Sequence, residues 1–148
     1  MKTPVLPAAA LQIARDPGTG FLSASWQGPV PEVLLMRHYV VLLAEAHRLP
    51  GGHFWLLDLR GRNWPSARFE HWFSHILAPR VTDALGHPVF VACVLDAGHA
   101  ADANGPAAAA SQRECATHDL YTYFFDAEDE ARSWLLHQQQ YYYQPGPQ

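Results

Sequence analysis

Cysteine is scarce in this chain, with Cys93 and Cys115 the only thiols in 148 residues. Two thiols cannot build a disulfide framework or a four-thiolate metal site. Basic residues are few as well: 10 Lys and Arg stand against 14 Asp and Glu, the formal net charge is −4 and the pI is about 6.1. No positive field is there to follow a DNA or RNA backbone. No apolar run approaches the roughly 18 residues of a membrane span. The first ten residues hold two prolines and no continuous apolar stretch, so no secretory signal is expected. What is present is core: 49% hydrophobic and 12% aromatic residues against 16% charged. That composition excludes a wholly disordered chain. The length suits one domain able to bury a core unaided. A cytoplasmic, reducing environment is the expectation, and no internal repeat is visible.

Hydrophobic periodicity orders the chain. Leu11 to Arg15 alternates as a half-buried strand, Asp16-Pro17-Gly18-Thr19-Gly20 is a turn, and Phe21 to Trp26 is the returning strand. Pro31 suits a helix first turn, and Glu32 to Leu49 is a long helix. At 100° per residue its stripe holds Leu34, Arg37, His38, Val41, Glu45 and Arg48; the rest is broadly apolar, as in a helix buried on more than one side. Pro50-Gly51-Gly52 stops it. His53 to Leu59 and His87 to Leu95 are nearly continuous apolar runs, the mark of central strands covered on both faces. Between them, Trp64-Pro65-Ser66 opens a helix with Phe69, Trp72, Phe73, Ile76 and Leu77 on one face. Pro79 must kink or restart it, and Gly86 ends it. Residues 96–119 form an Ala/Gly-rich excursion, in which Ala107 to Ala116 is either a short helix or part of a long loop. Leu120 to Phe125 is the last strand. Asp126 caps a closing helix whose first turn is acidic. The expected order is β-β-α-β-α-β-β-α: an α/β single domain on a mixed sheet of about five strands. Residues 1–10 read as an N-terminal arm, 11–137 as the domain and 138–148 as a low-complexity tail.

Three segments carry a family likeness: Trp26-Gln27-Gly28 after an early strand; His53-Phe54-Trp55-Leu56-Leu57-Asp58-Leu59-Arg60 ahead of an aromatic-rich helix; and Tyr123-Phe124-Phe125-Asp126 leading into Glu130-Ala131-Arg132-Ser133-Trp134-Leu135. With these the chain resembles the SpoIIAA-like, or STAS-like, family over residues 11–137. The resemblance implies a small mixed sheet with packed helices and a non-enzymatic regulatory module acting through a protein partner or by self-association. More distant relatives of similar shape, the CRAL-TRIO lipid carriers, imply an alternative: a small-ligand or lipid carrier with an apolar pocket between sheet and helices. The family's better-known members, bacterial anti-sigma-factor antagonists, carry an Asp-Ser-Ser-type stretch after the third strand that is switched by phosphorylation of a serine. This chain has Arg60-Gly61-Arg62-Asn63-Trp64-Pro65-Ser66-Ala67 there, so only Ser66 can stand in.

Several constellations invite chemistry. Asp58, Arg60, Arg62 and Asn63 follow a central strand and precede a helix. Open α/β sheets bind ligands at the carboxyl ends of their strands, and Arg60 and Arg62 are able to fork onto a small anion. A purely structural pair, Asp58 with an arginine or with loop N–H groups, stands beside that reading. Leu34, Arg37, His38 and Val41 make a candidate partner face. His71 and His75 have the helical spacing of metal ligands, but Arg68, Ala78 and Thr82 are their expected neighbours, with no acid nearby. A third ligand would have to come from His38, His47, His99 or His118. Cys115, His118 and Asp119 hint at a hydrolase, though sequence neighbours are not a triad. Cys93, inside an apolar strand, is expected to be inert. Gly18-Thr19-Gly20 lacks the Gly-Lys-Ser/Thr end of a phosphate loop, and no cofactor is expected.

Overall fold

The computed structural model describes residues 11–48 and 52–143. The elements are β1 (Leu11–Arg15), β2 (Leu22–Trp26), α1 (Glu32–Arg48), β3 (Phe54–Asp58), α2 (Ala67–Trp72), a π-helical turn (Phe73–Leu77) and α3 (Ala78–Leu85). Then come β4 (Val89–Val94), a 3-10 turn (Ala97–His99), α4 (Ala100–Ala103), α5 (Pro106–Thr117), β5 (Leu120–Phe125) and α6 (Glu128–Tyr143). The expected α/β domain with a five-stranded mixed sheet is what forms, in the order β1-β2-β3-β4-β5. β1 runs antiparallel to β2 through a tight hairpin. There Asp16 Oδ1 accepts the Gly18 N–H (3.0 Å), and Gly20 takes a left-handed φ of 81°. The other neighbours are parallel: Ser23 faces Leu56, Leu56 faces Ala92, and Ala92 faces Tyr123.

Parallel neighbours need crossovers, and right-handed crossovers advancing one strand at a time deliver their helices to one face of the sheet. α1, the α2–α3 segment and α4–α5 cover that face over Trp55, Leu57, Val91 and Cys93. α6 closes the opposite face, where Phe21, Phe54, Leu56, Phe90, Ala131 and Leu135 form a separate core. β3 and β4 are therefore covered on both sides, as their continuous apolar runs require. Among the described residues no helix is long and apolar enough to cross a membrane.

One open alternative is resolved and three local expectations change. Within residues 96–119, the alanine-rich run is helical from Pro106 to Thr117, which supplies the crossover that parallel β4 and β5 demand. The expected apolar face through Ile76 is broken by the π turn, in which the Ala78 N–H bonds Phe73 O. Pro79 brings no N–H to the ladder, and the backbone widens just ahead of it. The extra residue rotates the face: Phe73, Leu77, Ala78 and Val81 are buried, Trp72 is half-buried, and Ile76 is 48% exposed. The α1 stripe is also displaced. Val33, Arg37, Val40 and Val41 are exposed, Leu34 is half-buried against the core, and His38 is buried. Finally, α6 runs on through Tyr143. Gln139 Nε2 donates to Thr19 O (2.9 Å), and the Tyr142 ring lies 5.1 Å from Phe90. Residues 1–10 and 144–148 of the expected arm and tail lie outside the described residues, as do Pro50 and Gly51 of the expected helix stop.

Candidate functional site

β3 ends at Asp58, and strand alternation sorts its side chains between the two faces of the sheet. Phe54, Leu56 and Asp58 point to the α6 side, Trp55 and Leu57 to the side of α1, α2 and α5. Asp58 and Arg60 close on each other: Oδ1 accepts the Arg60 N–H and Nε–H, and Oδ2 accepts Nη2 at 2.9 Å. The Arg60 side-chain hydrogen bonds hold the Asp58 carboxyl below the usual carboxylate range. Arg60 also lies 3.8 Å from Glu128 of α6. Arg62 goes the other way, onto Trp26 and Tyr39 under α1. The sheet separates the two arginines, so they do not fork onto one anion.

Arg62 is the unusual residue. It is a loop arginine with 6% exposure. Its guanidinium lies 4.4 Å from the Trp26 ring centroid and 5.6 Å from that of Tyr39, a cation–π arrangement. Nη1 donates to the Tyr39 hydroxyl (3.2 Å), and the Arg62 carbonyl accepts from His99 Nε2 (2.9 Å). The loop can sit this low because position 61 is glycine: a Cβ there would come 2.3 Å from the Trp26 carbonyl oxygen. Trp26 is itself fixed by donating its indole N–H to His38 Nδ1 at 3.0 Å. His38 thus supports the platform under Arg62 and is not part of an outer face. Among the described residues no carboxylate comes within ion-pair distance of Arg62.

A cavity of about 60 Å³ opens beside it, between the sheet and α2, the π turn and α5. Leu57, Val91 and Phe124 give it an apolar floor, and Phe69 and Phe73 an aromatic roof. Two buried polar side-chain atoms of the described residues have no hydrogen-bond partner, Arg62 Nε and Thr122 Oγ1, and both residues line this cavity. Glu70, also on the wall, accepts from Trp64 Nε1 (2.9 Å), and burial raises its carboxyl above the ordinary value. Burial likewise raises the Tyr39 phenol. Cys93 and Cys115 reach the same wall, and burial pushes both thiols up to about 12, so neither is a thiolate nucleophile at neutral pH. Arg62 thus brings a guanidinium, and Glu70 a carboxyl, to one largely apolar wall.

No protein-family model, curated protein or solved structure matches the chain. The site therefore stands on its geometry.

Most of the remaining sequence candidates lie apart from this cavity. Asn63 is exposed, and its Oδ1 accepts the Val30 N–H (2.7 Å), tying the β3–α2 loop to the β2–α1 loop. Ser66 donates from Oγ and from its backbone N–H to Glu32, and the backbone bond holds that carboxyl below its usual value. His71 and His75 stack at 4.0 Å between centroids, but their neighbours differ from expectation. Ala78 and Thr82 are buried by the rotated helix face, and α5 brings Glu114 to 3.7 Å from His75 and 3.6 Å from His118. Even so, no group of three or more His, Cys, Asp or Glu among the described residues has the geometry to hold a metal ion. Of the other third-ligand candidates, His47 is exposed and His99 caps the Arg62 carbonyl. Cys115, His118 and Asp119 do not assemble, because the Asp119 carboxylate is taken by His87 (3.0 Å) and the Tyr121 hydroxyl (3.1 Å). Tyr39, Glu70 and Thr122 were not legible as site residues. Tyr39 and Thr122 read as core positions of a helix and a strand, while Glu70 lay off the expected apolar face of its helix and is buried.

Proposed function

We propose that this chain is a non-enzymatic binding module that holds a small ligand in the Arg62 cavity. One observation carries the reading: Arg62, buried with no acid partner among the described residues, lines a cavity whose wall is otherwise mostly apolar. A buried charge is costly unless it is paired, and a cation–π contact offsets only part of that cost. A ligand that pairs it offsets the rest. The neutral thiols favour binding over nucleophilic chemistry. The carrier alternative implied by the family resemblance agrees with a pocket between sheet and aromatic helix, though 60 Å³ suits a small molecule and not a lipid. Regulatory use of such a module, as in the STAS-like proteins it resembles, is part of the proposal. A protein partner is the second reading, favoured by the exposed Val33, Val40 and Val41 on α1. Native mass spectrometry of protein isolated from its own host tests both. A small retained adduct, lost in Arg62→Met, is expected; a stoichiometric protein partner with no adduct would favour the second reading.

A further inference from the structure

We propose that an open cleft at the N-terminal ends of β4 and β5 binds a small methylated ammonium ion, held by the Asp119 carboxylate and the Tyr121 and Tyr142 rings. The cleft lies on the α6 side of the sheet, opposite the Arg62 cavity, and the proposal is independent of that cavity.

His87 and Pro88 lead into β4, and Asp119 leads into β5. Parallel pairing sets them side by side, with the Val89 N–H donating to Asp119 O (3.0 Å). Asp119 takes a left-handed φ of 61°, a region that Asp and Asn enter more readily than other side chains. Its Oδ2 lies 3.0 Å from His87 Nδ1, and its Oδ1 accepts the Tyr121 hydroxyl at 3.1 Å. These hydrogen bonds hold the carboxyl below its ordinary value, so it is ionised at neutral pH. A carboxylate only accepts, so Nδ1 of His87 is the donor. The Asp119 side chain is still 48% exposed. Tyr121 and Tyr142 both rest on the buried Phe90 ring, Tyr121 stacked at 5.6 Å and Tyr142 tilted at 5.1 Å. Together with His87 and Pro88 they line a cleft of about 450 Å³.

Two attractions of the same sign meet in this cleft. The carboxylate is negative, and so is the face of an aromatic ring. No Lys or Arg lines the cleft to satisfy either, and His87 is charged only when protonated. A cation seated there gains from the rings and from the carboxylate at once, whereas an anion is repelled by both. The kind of cation follows from what is already bonded. Each Asp119 oxygen already accepts one hydrogen bond. A bare ammonium is strongly hydrated and needs acceptors for its N–H groups. A fully methylated nitrogen needs none, and its methyl groups suit the surfaces of Tyr121, Tyr142 and Pro88. Size agrees: the open cleft accommodates such a head, and the internal cavity of about 60 Å³ does not. Tyr141, exposed and edge-on to Tyr142 at 4.7 Å, extends the aromatic rim.

Nitrogen-15 NMR titration of the full chain, at about pH 8 where imidazoles are ordinarily neutral, tests this. The probes are choline, tetramethylammonium, dimethylbutanol (the uncharged carbon isostere of choline) and sodium chloride. Choline and tetramethylammonium should give saturable shifts confined to amides around His87, Asp119, Tyr121 and Tyr142. Dimethylbutanol and sodium chloride should give none there. Asp119→Asn keeps the side-chain shape and suits the left-handed φ, and Tyr142→Leu keeps an apolar group while removing the ring. Each should weaken choline about threefold or more, the loss expected for one exposed charge or cation–π contact. If Asp119→Asn does not fold, Tyr142→Leu and the uncharged isostere carry the test. Equal binding of dimethylbutanol and choline, or an unchanged choline affinity in either variant, would overturn the proposal. So would the absence of any saturable shift at the cleft, a result that leaves the small-ligand reading of the Arg62 cavity untouched.

Discussion

Replacing Phe73 by alanine strikes the roof of the cavity and the core at once. Phe73 is 9% exposed, lies edge-on to Tyr39 at 5.3 Å and tilts against Phe69 at 6.2 Å. Losing the transfer free energy of a buried phenyl costs about 2–3 kcal/mol. Void left behind adds about 24 cal/mol per Å³, so roughly 50–80 Å³ that fails to collapse adds about 1–2 kcal/mol. Collapse is hindered because the space merges with an existing cavity of about 60 Å³ walled by rigid rings and strands. Two aromatic pairs, about 0.5–1.5 kcal/mol each, are lost as well. The sum lies at or above about 3–5 kcal/mol, the usual range for a buried phenylalanine. Urea denaturation should show that loss at unchanged m, and calorimetry a Tm lower by more than about 10 °C. A loss under about 1 kcal/mol would refute the placement of Phe73 between sheet and helix.

Cys93 and Cys115 should resist Ellman's reagent at about pH 8 in the native state and react only on unfolding, since both are buried with thiols raised to about 12; rapid labelling of either would show that its side of the sheet is open. Glu70 has a folded-state pKa raised above its unfolded value by burial, so the folded state holds its proton more tightly and stability falls as pH rises above about 4.5. Glu70→Gln, whose amide oxygen still accepts from Trp64, should therefore be more stable than the parent at about pH 7, with the gain vanishing below about pH 4; an equal or lower stability at neutral pH would contradict the burial of that carboxyl. One equivalent of zinc should shift Tm by less than about 2 °C, because the His71–His75 stack lacks a third ligand in coordinating geometry; a larger shift, abolished in the His71→Ala/His75→Ala double variant, would reveal a metal site on this face.

The fold was legible where burial alone decides. The apolar runs at 53–59 and 87–95 read as central strands because nothing but two-sided cover stabilises such segments, and Gly86 marked a helix end by local chemistry, whereas the closing helix starts at Glu128 with Ala127, not Asp126, at its cap position. Legibility failed where one residue changes phase. The π turn ahead of Pro79 rotates the following face, exposing Ile76 and burying Thr82, and a fixed 100° step cannot foresee it. His38 fell on a polar stripe because periodicity does not reveal that Trp26, at the end of β2, offers its indole N–H to the helix. The site was half legible. Its location after β3 followed from strand polarity, and Arg62 was among the candidates. Its partners were not legible: Tyr39 and Glu70 sit on helices that read as core packing, and Thr122 sits in an apolar strand. The burial of Arg62 depends on Gly61 passing against a carbonyl of β2, a contact set by tertiary structure alone.

The small-ligand reading of the cavity depends on Arg62 being buried on its wall with no acid partner. Its own Nε–H signal, assigned by comparison with Arg62→Met or Arg62→Lys, reports on that atom. A resolved signal protected from solvent exchange is expected, moving saturably, together with the amides of Thr122 and Glu70, when small acids, amides and alcohols are titrated and one of them fills the cavity. A signal in rapid exchange with water, or one that stays fixed while every small acid, amide and alcohol tried is added, would contradict a buried Arg62 beside a ligand-binding cavity.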